Sequence, residues 1–252
     1  MKTYEIEIDI NDFPSELHEF LCSGKIYDTS CSPEAKTLYC DAGYYIKIAP
    51  KGELAREAEM GKRFHRMGLG VEIMEYVSHG RDYLVTRSAD GEDLTHFLDD
   101  PEMLCHVMAD ALRNIHSRSA GDAPVSAKLM DYRNCDGFND YLRMDCIGIH
   151  TRDEALEIIR RNGDRLKTDT LIHGDACLPN IICRDGRFSA FIDCGLSGAG
   201  DRHIDLFWAI WSLQFNLKTE QYTDCFLDLY GRDQVDFEAL KTIAAFEILG
   251  GE

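Results

Sequence analysis

Residues 171–193 read Leu-Ile-His-Gly-Asp-Ala-Cys-Leu-Pro-Asn-Ile-Ile-Cys-Arg-Asp-Gly-Arg-Phe-Ser-Ala-Phe-Ile-Asp, and this stretch limits the fold more than any other. Apolar runs at 181–183 and 188–192 flank Asp185-Gly186, a pair suited to a two-residue hairpin turn because both residues tolerate positive φ. A hairpin returns the chain to its starting neighbourhood. Before it stand His173, Gly174 and Asp175, with Asn180 five residues after the Asp; after it stands Asp193, then Cys194 and Gly195. Asp and Asn also populate turns for purely local reasons. An ordered set wrapped round one hairpin argues instead for a shared chemical task.

An Asp, an Asn five residues on and an Asp-x-Gly beyond a hairpin suit phosphoryl transfer. That reaction needs a carboxylate to orient the incoming hydroxyl and accept its proton. It also needs oxygen ligands for a Mg²⁺ that bridges nucleotide phosphates. Asp175 fits the first role; Asn180 and Asp193 fit the second. Upstream, Tyr44-Tyr45-Ile46-Lys47-Ile48 alternates as a strand. A Lys inside an apolar strand is costly to bury unless paired. A helix expected over 53–67 offers Glu57 as the partner, whereas Glu59 falls on another face, about 200° away. A strand Lys paired with a helix Glu grips the nucleotide phosphates in kinases. The alternative for Lys47 is a strand-end side chain reaching water.

Through His-Gly-Asp-Ala-Cys-Leu-Pro-Asn, Gly-Arg-Phe-Ser-Ala-Phe-Ile-Asp-Cys-Gly and Ala-Gly-Asp-Arg-His-Ile-Asp, residues 173–205 resemble the aminoglycoside phosphotransferases, most of all the 3′-phosphotransferases. The resemblance implies a protein-kinase-like fold with ATP or GTP as phosphoryl donor. It implies that Ser32, in the turn at 29–33, helps hold the phosphates; the alternative is an ordinary polar turn. It implies that Tyr45 stacks on adenine, against the alternative of a core or surface Tyr. Backbone groups of Arg87 and Ala89 would meet the adenine edge, Asp205 would brace the loop at Asp175, and Glu247 would face a cationic acceptor. The match frays on the acceptor side. Leu196 stands where the family usually has Arg, and Phe215 and Asn216 stand where it sets acids against antibiotic amino groups.

Elsewhere the patterns are ordinary. Asp100-Pro101 starts a helix expected to reach 116, with a Met-rich apolar stripe that reads as core. Further helices are expected over 138–144, 152–161, 204–213, 219–230 and 236–249, and strands over 4–8 and 81–86. The polar break at 87–92 is the candidate hinge.

Composition restricts the partners. The net charge of −18, from 45 acidic against 27 basic residues, repels nucleic acid and anionic lipid and attracts cations. No apolar run reaches the length of about 18 residues that spans a bilayer, and the first residues lack the apolar core of a secretion signal. Ten cysteines without a Cys-x-x-Cys pair point to a reducing cytoplasm rather than to zinc or disulfides.

The expectation is therefore an α+β, bilobal protein-kinase-like fold: a β-rich nucleotide-binding lobe over 1–89 and a mainly helical catalytic and substrate-binding lobe over 90–252. The expected reaction moves the γ-phosphoryl of ATP or GTP, with Mg²⁺, to a hydroxyl of an aminoglycoside. The rivals are a kinase for another small metabolite or antibiotic, and a catalytically silent nucleotide-binding protein. The short span from Asp193 to Asp205 leaves no room for the activation segment of a protein kinase.

Overall fold

The computed structural model describes residues 4–30, 36–132 and 137–250. The chain divides into two compact units, Met1–Asp90 with Ala190–Gly195, and Gly91–Ser189 with Leu196–Glu252.

The first unit contains β1 (Tyr4–Glu5), α1 (His18–Leu21), β2 (Ile26–Asp28), β3 (Lys36–Cys40), β4 (Tyr44–Pro50), α2 (Ala55–Arg66), β5 (Ile73–His79) and β6 (Arg81–Arg87). Its strands make one antiparallel sheet in the order β1-β2-β3-β4-β6-β5. The alternation in β4 works as the pattern predicts. Ile46 and Ile48 point into a core with Leu38, Cys40, Tyr83 and Val85, which leaves Tyr45 and Lys47 on the opposite face. Each fully buried Ile or Leu there contributes about 1.5–3 kcal/mol. The helix α2 buries Ala58, Met60 and Phe64, and Gly61 lets it approach β5, since a Cβ there would lie 2.6 Å from Ile73 Cδ1.

Two sequence expectations change here, and β5 is a strand for which none was formed. The strand expected over 4–8 covers only β1, because the Asp9 side chain accepts the Asn11 N–H at 2.9 Å and opens a short 3-10 turn at Ile10–Asp12. The edge strand β5 has no fully buried residue and so carried no usable alternation. Finally, the linear boundary at residue 89 omits Ala190–Gly195. The Phe191 N–H donates to Leu69 O at 2.7 Å, and its ring meets Phe64 edge-on at 6.1 Å, so this segment belongs with the first unit.

The second unit contains β7 (Glu92–Asp93), α3 (Pro101–His116), α4 (Ala127–Asp131), α5 (Arg152–Asn162), β8 (Thr170–Ile172), β9 (Ile181–Arg184), β10 (Arg187–Phe191, whose last two residues fall in the first unit), β11 (Gly198–Gly200), α6 (His203–Leu217), α7 (Thr223–Tyr230) and α8 (Phe237–Leu249). Asp100 caps α3 through the Met103 N–H, with Pro101 in the first turn. A capping box of Thr151 and Glu154 starts α5. The helix expected over 138–144 is instead a 3-10 turn at Asp140–Leu142 followed by another at Asp145–Ile147. Asn139 explains the difference. Its side chain takes the Tyr141 N–H and its own N–H donates to Ile248 O, so the backbone is tied to the end of α8 before a helix can begin. No helix among the described residues is long and apolar enough to cross a membrane.

Candidate active site

In the first unit, Lys47 Nζ lies 2.6 Å from Glu57 Oε1 and 3.1 Å from Asp193 Oδ1. The strand puts Lys47 on the face away from the core, and α2 turns Glu57 toward it while Glu59 stays exposed. Burial opposes the Lys47 charge, but Glu57 and then Asp193 outweigh it, and its pKa is raised. Asp193 sits at φ 58°, a left-handed conformation that Asp tolerates. Its side chain is 54% exposed.

The start of α2 is set by a residue that sequence reasoning missed. Asp82, fully buried in β6, accepts from Ser78 Oγ at 2.7 Å, Tyr76 OH at 2.9 Å, and the N–H groups of Gly52 and Leu54 at 2.9 and 3.0 Å. Burial pushes its carboxyl up, but these four bonds hold it below the ordinary value. An ionisable residue inside an apolar strand was a signal of the same kind that singles out Lys47.

The remaining expected nucleotide residues are also in this unit. Tyr45 pairs across the sheet with Tyr39, ring centres 4.9 Å apart. Arg87 binds Glu72 at 3.0 Å and lies over the Tyr44 ring, while its N–H donates to Glu72 O. Among the described residues no acceptor meets the Ala89 N–H. Ser32 lies outside the described residues.

In the second unit, β8 pairs antiparallel with β11 and delivers the loop that begins at His173. Asp205 holds that loop: its carboxylate accepts the His173 N–H at 2.8 Å and the Gly174 N–H at 2.7 Å. Ser197 Oγ adds a bond to His173 O at 2.8 Å. One further partner of Asp205, itself tied to a tyrosine, was not foreseen. His116 Nε2 lies 3.0 Å from Asp205, and the other ring nitrogen of His116 lies 2.9 Å from Tyr230 OH. Gly174 sits at φ 89°, where a Cβ would lie 2.5 Å from Leu196 O, so the loop passes only as glycine.

Within the loop, Asn180 Nδ2 donates to Asp175 Oδ2 at 2.9 Å and to Asp175 O at 3.0 Å. With the amide nitrogen so engaged, Oδ1 is the end of Asn180 left to bind a cation. Asn180 Oδ1 and the Asp193 carboxylate are hard oxygen donors of the kind Mg²⁺ takes. Among the described residues no group of three or more His, Cys, Asp or Glu is arranged for a metal. Taken one by one, each of these oxygens fits a Mg²⁺ ligand by its donor chemistry.

Of the residues expected to face the acceptor, Glu247 is buried in α8 rather than displayed. It is bound by Lys128, Tyr132 and Trp208. Phe215 stacks on Trp211 with ring centres 5.0 Å apart and carries Lys218 Nζ 3.9 Å from its own ring centre; Asn216 bonds back to Ser212.

A β-sheet unit with a Lys–Glu pair and a helical unit with an Asp-Asn loop define a kinase-like phosphotransferase. Residues 36–239 match the phosphotransferase enzyme family, and the chain belongs to that family. It is 40% identical to a probable aminoglycoside 3′-phosphotransferase of Lactococcus lactis subsp. lactis, covering 98% of both chains. It is 30% identical to an aminoglycoside 3′-phosphotransferase of Enterococcus faecalis over 68% of this chain and 69% of that one. The fold is similar to that of an aminoglycoside phosphotransferase from Streptomyces rimosus, with a TM-score of 0.72 and 18% identity, covering 98% of this chain and 100% of the other. That enzyme has also been solved in complex with ADP and streptomycin.

Proposed function

We propose that this phosphotransferase moves the γ-phosphoryl of ATP or GTP to a hydroxyl of an aminoglycoside, as the 3′-phosphotransferases it resembles are named for doing. The observation that best supports the reading is Lys47 held between Glu57 and Asp193, an ammonium already poised for nucleotide phosphates. Asp175 orients the acceptor hydroxyl and takes its proton. Because Asn180 engages Oδ2, Oδ1 is the oxygen that receives it. Asn180 and Asp193 would hold Mg²⁺, which would supply charge neutralisation on the phosphates. Tyr45 and the Arg87–Ala89 backbone hold adenine, Ser32 lies over the phosphates, and Glu247 receives a cationic group of the acceptor. Free thiols at Cys22, Cys40, Cys105, Cys146, Cys177, Cys183, Cys194 and Cys225 suit the cytoplasm.

A second reading, a different small-molecule acceptor, is favoured by the Lys218 ammonium over Phe215, since a fixed cation there repels a polycation. One screen separates the two. Kanamycin, neomycin, streptomycin, simple sugars and amino alcohols are incubated with γ-labelled ATP or GTP and Mg²⁺. Labelled kanamycin or neomycin is expected; label on a sugar or amino alcohol alone supports the second reading, and label on none rejects both.

A further inference from the structure

The two oxygens of Glu247, a residue only 3% exposed, meet different kinds of donor. Oε1 accepts from Tyr132 OH at 2.6 Å and from Trp208 Nε1 at 3.0 Å; Oε2 meets Lys128 Nζ at 2.8 Å. The two neutral donors fix the plane of the carboxylate, and Tyr132 is itself stacked on Phe246, ring centres 4.7 Å apart. Lys128 Nζ also lies 4.7 Å from the centre of the Trp208 ring. A carboxylate oxygen beside an indole face is the environment that recognises an ammonium ion. The walls of this seat come from α6, α8 and Tyr132. The ammonium inside it comes from the five-residue helix α4, on a side chain 19% exposed.

The seat adjoins the Asp175 loop. Cys177 Sγ lies 3.9 Å from Trp208 O. The Cys177 thiol is pushed well above its ordinary value, first by burial and then by nearby charges that include both Asp175 and Glu247. The backbone of Trp208 thus meets a residue two places from Asp175, so an amine in the seat belongs to a molecule that lies near the loop.

We infer that Lys128 is an internal stand-in for the acceptor's amine: its ammonium fills a seat built by Glu247 and Trp208, and an amine-bearing acceptor binds by displacing it. This rests on the acceptor reading above and adds its gate. Lysine suits the part, because a flexible four-carbon stem carries the charge out to water without moving the helix. The Tyr132 and Trp208 bonds to Oε1 do not depend on it. If Lys128 were only a structural ion pair, its loss would leave Glu247 buried and uncompensated, and acceptor binding would weaken.

Lys128→Ala removes the atoms of a propylammonium ion, so propylammonium chloride is the probe. Calorimetric titration is expected to show K128A binding it about tenfold or more tightly than wild type does, because no tethered competitor occupies the seat. The gain should vanish when Glu247→Gln is added. Lys128→Met keeps the apolar stem, and its KM for kanamycin should fall about tenfold. Equal propylammonium affinity in K128A and wild type, or a raised kanamycin KM in K128M, overturns the inference. If K128A does not fold alone, the kanamycin KM of K128M decides: a fall supports the inference and a rise overturns it. The titration needs no turnover. A Glu247-dependent gain with no phosphorylation of kanamycin by wild type would keep the seat and reject the aminoglycoside reading. Phosphorylation with no gain would do the reverse.

Discussion

Lys47 Nζ and Asp193 Oδ1 stand 3.1 Å apart, one on the fourth strand of the sheet and the other on a turn that most of the chain separates from it. Glu57 closes the arrangement at 2.6 Å. The lysine is thus shared by two carboxylates, one fixed on a helix and one half-exposed. Its raised pKa keeps it an ammonium at neutral pH. Lys47→Met should raise the nucleotide Kd by about tenfold to a hundredfold and leave Glu57 and Asp193 without their common cation. Nucleotide titration calorimetry reads this directly; unchanged affinity would remove Lys47 from the phosphate site.

Gly174 and Gly186 both have positive φ, 89° and 72°, but differ in what surrounds them. A Cβ on Gly174 would strike Leu196 O at 2.5 Å, whereas nothing lies within 4 Å of one on Gly186. Gly174→Ala should therefore cost about 2 kcal/mol or more, and Gly186→Ala about 1 kcal/mol from strain alone. Urea denaturation of the two variants measures the difference. Equal losses would mean that the close passage of Leu196 does not constrain the loop.

Asp82 makes stability depend on acid. Its folded pKa lies below the ordinary 3.8, so the unfolded chain binds the proton more readily. The contribution is present above pH 3.8 and is lost as pH falls through the lower folded value. Asp82→Asn should cost about 2 kcal/mol near neutral pH, because buried N–H and O–H donors lose a charged acceptor. It should also flatten the stability curve below pH 3.8. Thermal melts of both proteins across the acid range test this, and parallel curves would show that Asp82 titrates as it does in the unfolded chain.

Much of this was legible because it is local. Asp185-Gly186 takes φ values of 51° and 72°, as an Asp-Gly hairpin turn should, and so β9 and β10 follow from two residues. Asp175 and Asn180 are five residues apart and joined by their own hydrogen bonds. Lys47 and Glu57 declare themselves through the rule that a lysine in an apolar strand needs a partner, and the same rule would have found Asp82. What stayed hidden depends on distant partners. Ala190–Gly195 joins the first unit through Leu69 and Phe64, which no periodicity near residue 190 encodes. The apolar spacing at 138–144 suggested a helix, but bonds to Ile248 and Leu249 at the far end of the chain prevent it. Lys128 reads as an ordinary helix lysine until α6 and α8 fold a carboxylate and an indole around it.

The most direct measurement compares γ-phosphoryl transfer and nucleotide binding in wild type and Asp175→Asn, a variant that keeps the side-chain shape but cannot accept the acceptor's proton. Transfer should fall about a thousandfold while nucleotide still binds. Transfer at the wild-type rate would contradict the assignment of Asp175 as the base and, with it, the account of this loop as the catalytic one.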